Sequence, residues 1–149
     1  MSLLFESGYY AFGFYVALNA LIMLVLSVLV SRARAVTQTM IGDGGGNPAM
    51  TGPLRAHANN TEYVPMALLL MWAMVSPLGA LGGGSIWLIH GVGLPLTIGR
   101  ILHGWGLHTS TGPTTLRFIG IILTWISFIV GIVGVFWLVF FTAGATAAS

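Results

Sequence analysis

Long apolar segments separated by polar or glycine-rich connections set the pattern of this chain. Continuous apolar stretches of about 20 residues are long enough to cross the hydrocarbon core of a bilayer. The pattern predicts an all-α integral membrane protein in which residues 1–149 form a single domain, a bundle of four transmembrane helices. The predicted helices cover residues 9–30, 53–78, 85–107 and 115–142.

The second predicted helix differs from the others because its apolar part begins only at Tyr63. Its first turns carry charged and amide side chains, so we expect them to project past the hydrocarbon. The preceding stretch, residues 40–53, is rich in Gly, Asn and Asp and reads as a loop. It contains no G-x-x-x-x-G-K-[ST] pattern, which argues against a phosphate-binding loop.

Composition supports the membrane assignment, since 56% of the 149 residues are hydrophobic and only 5% are charged. Such a composition is too apolar for a soluble domain. The few cations are all arginines and form no basic patch, so nothing favours nucleic-acid binding. The chain has no Cys, which excludes disulfides, thiolate metal sites and a cysteine nucleophile, and we predict no metal site.

The charged residues also predict the orientation in the membrane. All five arginines lie on or beside the first and third loops, whereas the second loop carries no charge. The positive-inside rule then places the first and third loops in the cytoplasm and both termini outside. In a bacterium the membrane would be the inner membrane.

Three polar side chains of the second helix share one face. A helix advances about 100° per residue, so Arg55, Asn59 and Glu62 fall within roughly 60° of one another, and Tyr63 flanks them. Ionisable groups at membrane depth are costly and usually mark a function. The alternative is that Arg55 and Glu62 form an ion pair that only ties helices together.

Two further polar residues of the third helix, Arg100 and His103, lie one turn apart near the end that returns to this polar face. Several cations with one carboxylate suit a small zwitterionic ligand with more carboxylates than amines. Arginine binds carboxylates through paired hydrogen bonds, and Glu62 would accept an ammonium group. A nearby arginine would also favour the thiolate form of a bound thiol.

The spacing Arg55-x-His57-x-Asn59-x-x-Glu62-Tyr63-x-Pro65 resembles the second-helix signature of the MAPEG family, the membrane-associated proteins in eicosanoid and glutathione metabolism. Trp87-x-x-His90 and Gly99-Arg100-x-x-His103 resemble its third helix. Gly42-Asp43-Gly44-Gly45 resembles a first-loop feature of small bacterial members. The resemblance spans roughly residues 10 to 140.

The resemblance implies a homotrimer with glutathione, as co-substrate, bound between adjacent subunits. It implies that glutathione is held by residues from the first three helices, with Arg117 near the start of the fourth activating the thiol. The glutathione-binding residues would be Arg32, Arg34, Arg55, His57, Asn59, Glu62, Tyr63, Arg100 and His103. Leukotriene-branch members carry tyrosine at the positions of His103 and Leu107.

The function that the resemblance implies is a glutathione transferase or peroxidase that acts on lipophilic electrophiles or hydroperoxides. A non-catalytic lipid-binding or scaffold protein with the same fold is the alternative. The residues alone also allow a small proton-coupled exporter with Glu62 as its carrier carboxylate. A haem anchor is a further option, although His90 and His103 would face about 140° apart on a straight helix and could not share an iron.

Overall fold

The computed structural model describes residues 7–76 and 86–146, with side chains described up to residue 141. These residues form four helices: α1 (Gly8–Thr37), α2 (Pro48–Val75), α3 (Ile86–Thr109) and α4 (Thr115–Thr146). The predicted all-α fold is confirmed. The predicted second loop, residues 79–84, lies outside the described residues.

The two boundaries of the first loop differ from the prediction. Helix α1 continues past Val30 to Thr37 and ends where Gln38 adopts a left-handed φ of 52°. Helix α2 begins at Pro48, five residues before the predicted start. The Asn47 side chain accepts a hydrogen bond from the Ala49 N–H at 3.0 Å, and proline needs no donor in the first helical turn, so the pair starts a helix where a loop was expected.

Three of the four helices are long and apolar enough to cross a membrane: Gly8–Thr37, Ile86–Thr109 and the Thr115–Phe141 part of α4. Helix α2 is long enough but not apolar enough, because its first half carries the charged and amide side chains of Arg55, Asn59, Asn60 and Glu62. The structure therefore supports three spans by composition, one fewer than the four predicted. Helix α2 is held by the other three helices, since it packs against each of them.

Contacts along the helices show an up-and-down bundle. Helices α1 and α3 run in the same direction, as the pairs Tyr15–His90 and Asn19–Thr97 show, and α2 and α4 run the opposite way. The loops at residues 38–47 and 110–114 consequently lie at the same end of the bundle, which we call the loop end. The far half of the bundle is an apolar core that includes Met71, Val92 and Leu138.

Polar and small residues inside the bundle join the helices. Asn19 of α1 donates to the Thr97 hydroxyl of α3 at 3.1 Å, which joins the two helices. Helix α4 packs closely against α2 on one face, because Ser127 is buried and a Cβ at Gly131 would meet Leu70 at 3.0 Å. Gly13 of α1, in contrast, is exposed and has nothing within 4 Å of an added Cβ.

Candidate functional site

A fully buried arginine lies at the centre of the polar cluster. Arg100 of α3 is 0% exposed and sits nine residues before the end of its helix, about 14 Å from the loop end. Its Nη2 donates to Asn59 Oδ1 at 2.7 Å, and its Nε donates to Asn60 Oδ1 at 3.2 Å. Its Nη1 donates to the Thr124 hydroxyl at 3.4 Å. Three neutral acceptors thus replace the water that a guanidinium loses on burial.

Two residues of α2 complete the surroundings of this cation. The Tyr63 ring centroid lies 5.7 Å from Arg100 Cζ, within the range of a cation–π interaction. Glu62 attracts Arg100 electrostatically, although no nitrogen–oxygen distance of 4.0 Å or less joins them among the described residues. The structure therefore brings together four predicted site residues: Arg100, Asn59, Glu62 and Tyr63.

Close packing between α3 and α4 makes the third hydrogen bond to Arg100 possible. A Cβ added at Gly99 would meet Gly120 O at 2.8 Å, and one added at Gly120 would meet His103 N at 2.6 Å. Only helices without side chains at these points can approach so closely. The approach brings Thr124, whose hydroxyl donates to Gly120 O at 2.9 Å, beside the Arg100 guanidinium.

Asn60 and Thr124 are site residues that the sequence did not predict. Asn60 is fully buried and interrupts a stripe of buried apolar residues on α2 that includes Ala56, Val64 and Ala67. An amide within such a stripe is a signal that a buried polar partner faces it. Thr124 carried no comparable signal, because a single hydroxyl is common in a long apolar helix and can bond its own backbone.

Arg55 and Glu62 occupy the outer side of α2. Both side chains are exposed, and seven residues of helix place them on one face, about 10 Å apart along the axis. No hydrogen bond or ion pair involves either side chain in the described part of the chain. Within the described residues the structure therefore shows no ion pair between Arg55 and Glu62.

Two other predicted cations bind loop carbonyls. Arg34 Nη1 donates to the carbonyls of Thr39 (3.2 Å), Met40 (3.0 Å) and Gly42 (3.4 Å), and so closes the first loop. Arg117 Nη1 donates to Thr111 O and Gly112 O in the third loop. Each guanidinium is thus engaged by its own loop rather than directed at the Arg100 cluster.

The remaining predicted residues have different surroundings. Arg32 is exposed and His57 is half-buried. His103 is only 7% exposed and forms a hydrogen bond through Nδ1 with Arg117 O at 3.0 Å. The resemblance implies direct glutathione contacts for Arg100 and His103, and both side chains are buried in this structure.

The histidines do not converge on one point. His90 shares a hydrogen bond with the Tyr15 hydroxyl at 2.9 Å, whereas His103 contacts the start of α4. Within the described residues no group of three or more His, Cys, Asp or Glu side chains could hold a metal ion. The arrangement suits binding by hydrogen bonds and charge.

Comparison with known proteins identifies the chain's family. The sequence profile of the MAPEG family matches residues 12–137. This chain belongs to the MAPEG family. It is 34% identical over 94 residues to "Inner membrane protein YecN" of Escherichia coli (strain K12), which covers 63% of this chain and 67% of that protein. The protein of the same name from Escherichia coli O6:H1 matches equally.

The name of these relatives places them in the inner membrane and gives no activity. Comparison with the solved structures gives no significant match. Family membership makes the chain a membrane protein of the group associated with eicosanoid and glutathione metabolism, in agreement with the predicted resemblance.

Proposed function

We propose that this MAPEG protein is a glutathione-dependent transferase or peroxidase acting on lipophilic electrophiles or hydroperoxides. The observation that carries the proposal is the buried Arg100, which fixes Asn59 on the face of α2 that also presents Tyr63 and Glu62. A fixed amide between a cation and a carboxylate suits a short peptide with charged ends.

Each polar group has a distinct role in this proposal. The Arg55 guanidinium receives a glutathione carboxylate through paired hydrogen bonds, and Glu62 receives the ammonium group. Asn59 Oδ1 already accepts from Arg100, which leaves its amide N–H groups to donate to a peptide carbonyl. Arg100 acts as a positioning residue because it holds Asn59 from inside the bundle.

We further propose that the protein is a homotrimer with glutathione bound between subunits, and that the loop end faces the cytoplasm. The exposed charges of Arg55 and Glu62 lie on the same helix as exposed Met66, Leu69 and Trp72. Unpaired charges at membrane depth are costly unless protein or ligand covers them. A neighbouring subunit would cover the apolar residues, and its His57 would reach the ligand.

Arg117 is the proposed activator of the thiol. A guanidinium near the sulfur favours the thiolate, and the thiol proton passes to solvent. The thiolate attacks the electrophilic carbon and forms the carbon–sulfur bond, while the leaving group departs with the electron pair of the bond that breaks. With a hydroperoxide the thiolate attacks the peroxide oxygen and the O–O bond breaks to release the alcohol, and a second glutathione then reduces the resulting sulfenic acid to give the disulfide and water. For this role Arg117 must exchange its hydrogen bonds with Thr111 O and Gly112 O for a contact with the sulfur. Binding of glutathione would then be accompanied by a rearrangement of the third loop.

The proposal is tested by titrating purified protein with glutathione and recording the thiolate difference spectrum, followed by a panel of lipophilic electrophiles and hydroperoxides. We expect Arg55→Ala and Glu62→Ala to lose the spectrum. Arg117→Ala should retain glutathione in equilibrium dialysis but lose the thiolate signal and turnover. Normal turnover in Arg117→Ala would remove that residue from the mechanism, and undiminished binding in both other variants would reject the site.

A non-catalytic lipid-binding or scaffold protein is a second candidate, favoured by one observation. The Arg117 guanidinium bonds to two loop carbonyls, an arrangement that closes a turn without any ligand. Protein that binds glutathione or lipid but turns over no member of the panel would support this candidate.

A further inference from the structure

An apolar groove follows the contact between α1 and α3 on the surface of the bundle. It has a volume of about 350 Å³ and lies between Leu21–Leu29 on α1 and Arg100–His108 on α3, within the usual range for small-ligand sites. Gly104 forms part of its wall. A Cβ there would lie 3.4 and 3.8 Å from the two methyl groups of Leu26, so a larger side chain would occupy the groove.

A second cavity of about 360 Å³ extends this groove toward the loop end. It shares Leu29 and His108 with the first and adds Arg32, Val36 and Pro53 among its lining residues. We call the two together the α1–α3 groove. Its inner part is apolar, and its outer part reaches the last turns of α1, where the headgroups of a bilayer would lie.

The loop end of the groove carries polar groups without partners. Arg32 is exposed and has no hydrogen bond or ion pair within the described residues. The Nδ1 atom of His108 is buried, and no hydrogen-bond partner reaches it. No carboxylate lines either cavity. The groove thus combines a long apolar part with a cationic end that lacks a counter-charge.

We propose that the α1–α3 groove binds the acyl chain of an anionic membrane lipid, whose headgroup lies against Arg32 and His108. The acyl chain of the lipid would fill the apolar part of the groove, and its headgroup would supply a negative charge beside Arg32. The groove opens sideways past Leu21, Val25 and Trp105, which are 56%, 50% and 61% exposed, so a lipid can enter directly from the bilayer.

Charge complementarity favours a lipid over a second copy of the chain as occupant. The whole sequence contains only three carboxylate side chains, those of Glu6, Asp43 and Glu62. In an anionic lipid the negative charge lies in the headgroup, next to the acyl chains, so a chain in the groove would place that charge near Arg32. Arg100 lines the groove and also holds Asn59, so the lipid would lie beside the residue that positions the proposed glutathione site.

The test measures lipid retained by the full chain, without glutathione, so that failure of the proposed enzymatic function cannot affect it. Protein is released from nanodiscs containing equal amounts of phosphatidylglycerol and phosphatidylcholine with the same acyl chains, and bound lipid is counted by native mass spectrometry. We expect phosphatidylglycerol to be retained about fivefold over phosphatidylcholine, as one additional cation–anion contact at the membrane surface predicts.

Variants that fill the groove should abolish this retention. Gly104→Leu fills the wall, and Val25→Trp fills the groove from the exposed rim if Gly104→Leu does not fold. Gly13→Leu is the control, because Gly13 is exposed near the start of α1, outside the residues that line the groove, with nothing within 4 Å of an added Cβ. Arg32→Gln should keep retention but make it equal for the two lipids.

Three results would overturn the proposal. Retention of phosphatidylglycerol at the parent level in the groove-filling variant that folds would show that lipid binds elsewhere. An unchanged preference in Arg32→Gln would remove the proposed headgroup contact. Loss of oligomers in Gly104→Leu with unchanged lipid retention would assign the groove to an interface between copies.

Discussion

The two sides of α2 both place polar side chains in a largely apolar protein, but they do so in different ways. On the inner side Asn60 is buried and accepts a hydrogen bond from Arg100. On the outer side Arg55 and Glu62 are exposed and bond to nothing in the described residues. The inner polar groups are committed to the fold, whereas the outer ones remain free to bind. Substitutions on the inner side should therefore change stability, and those on the outer side should change binding.

The largest expected effect comes from removing the buried cation. Arg100→Met leaves its three acceptors without a donor, and two of them, Asn60 and Thr124, are fully buried. Because unsatisfied buried groups each cost about 1–3 kcal/mol, the free energy of unfolding should fall by about 3 kcal/mol. Denaturation in mixed micelles followed by circular dichroism measures it. Arg55→Met, the control on the outer side, should change it by less than about 0.5 kcal/mol; equal losses would refute the distinction between the sides.

A smaller loss should follow from separating α3 and α4. The Cβ of Gly120→Ala would lie 2.6 Å from His103 N and 2.7 Å from Gly99 O. Backbone atoms cannot move aside as a side chain can, so the helices must part, which costs about 2 kcal/mol. The same denaturation assay serves here. Gly13→Ala should be neutral, since nothing lies near its added methyl group, and a comparable loss there would contradict the packing argument.

Asn59 and Asn60 are adjacent in sequence but lie on different sides of α2, so they allow the two sides to be compared directly. Asn60→Leu leaves Arg100 Nε without its acceptor in a fully buried position, and we expect a loss of about 1.5 kcal/mol. Asn59 is half-buried, so water can replace part of its hydrogen bond in Asn59→Leu and the loss should be smaller. Glutathione affinity, in contrast, should fall more in Asn59→Leu than in Asn60→Leu. If Asn59→Leu proved the more destabilising of the two, the assignment of sides would be reversed.

The smallest expected change in stability belongs to the outer carboxylate. Glu62→Gln should alter the free energy of unfolding by less than about 0.5 kcal/mol, while glutathione affinity measured by dialysis falls about tenfold through loss of a charge-assisted contact. Asp43→Asn is a matched control, because it also neutralises an exposed acid and keeps an oxygen that can accept from the Gly45 N–H. It should leave affinity unchanged, and an equal loss in both variants would indicate a general charge effect.

The sequence predicted the outer side of α2 better than the inner side. Helical spacing was sufficient to place Arg55, Asn59 and Glu62 on one face, and the return of α3 was sufficient to bring Arg100 near Asn59 and Glu62. The depth of Arg100 was not predictable, because it depends on how closely α3 approaches α4 at Gly99 and Gly120. For the same reason the sequence did not reveal Thr124 as a partner.

The roles of Arg34 and Arg117 were missed for a different physical reason. Both bind backbone carbonyls, and every residue supplies a carbonyl, so no residue type in the sequence marks the partner. The early start of α2 could have been predicted from the sequence, since Asn at the N-cap followed by Pro in the first turn commonly starts a helix. The glycine content of the preceding loop outweighed it.

The glycine crossing between α3 and α4 also limits how these helices can move. At Gly99 and Gly120 the two backbones are so close that the carbonyl of one fills the space beside the other, so axial sliding would drive a neighbouring side chain into a backbone. Rotation about the crossing point needs no such clash. The crossing therefore allows α3 and α4 to rotate relative to each other but not to slide along their axes. A rearrangement of the third loop would then change the tilt of these helices in the far half of the bundle.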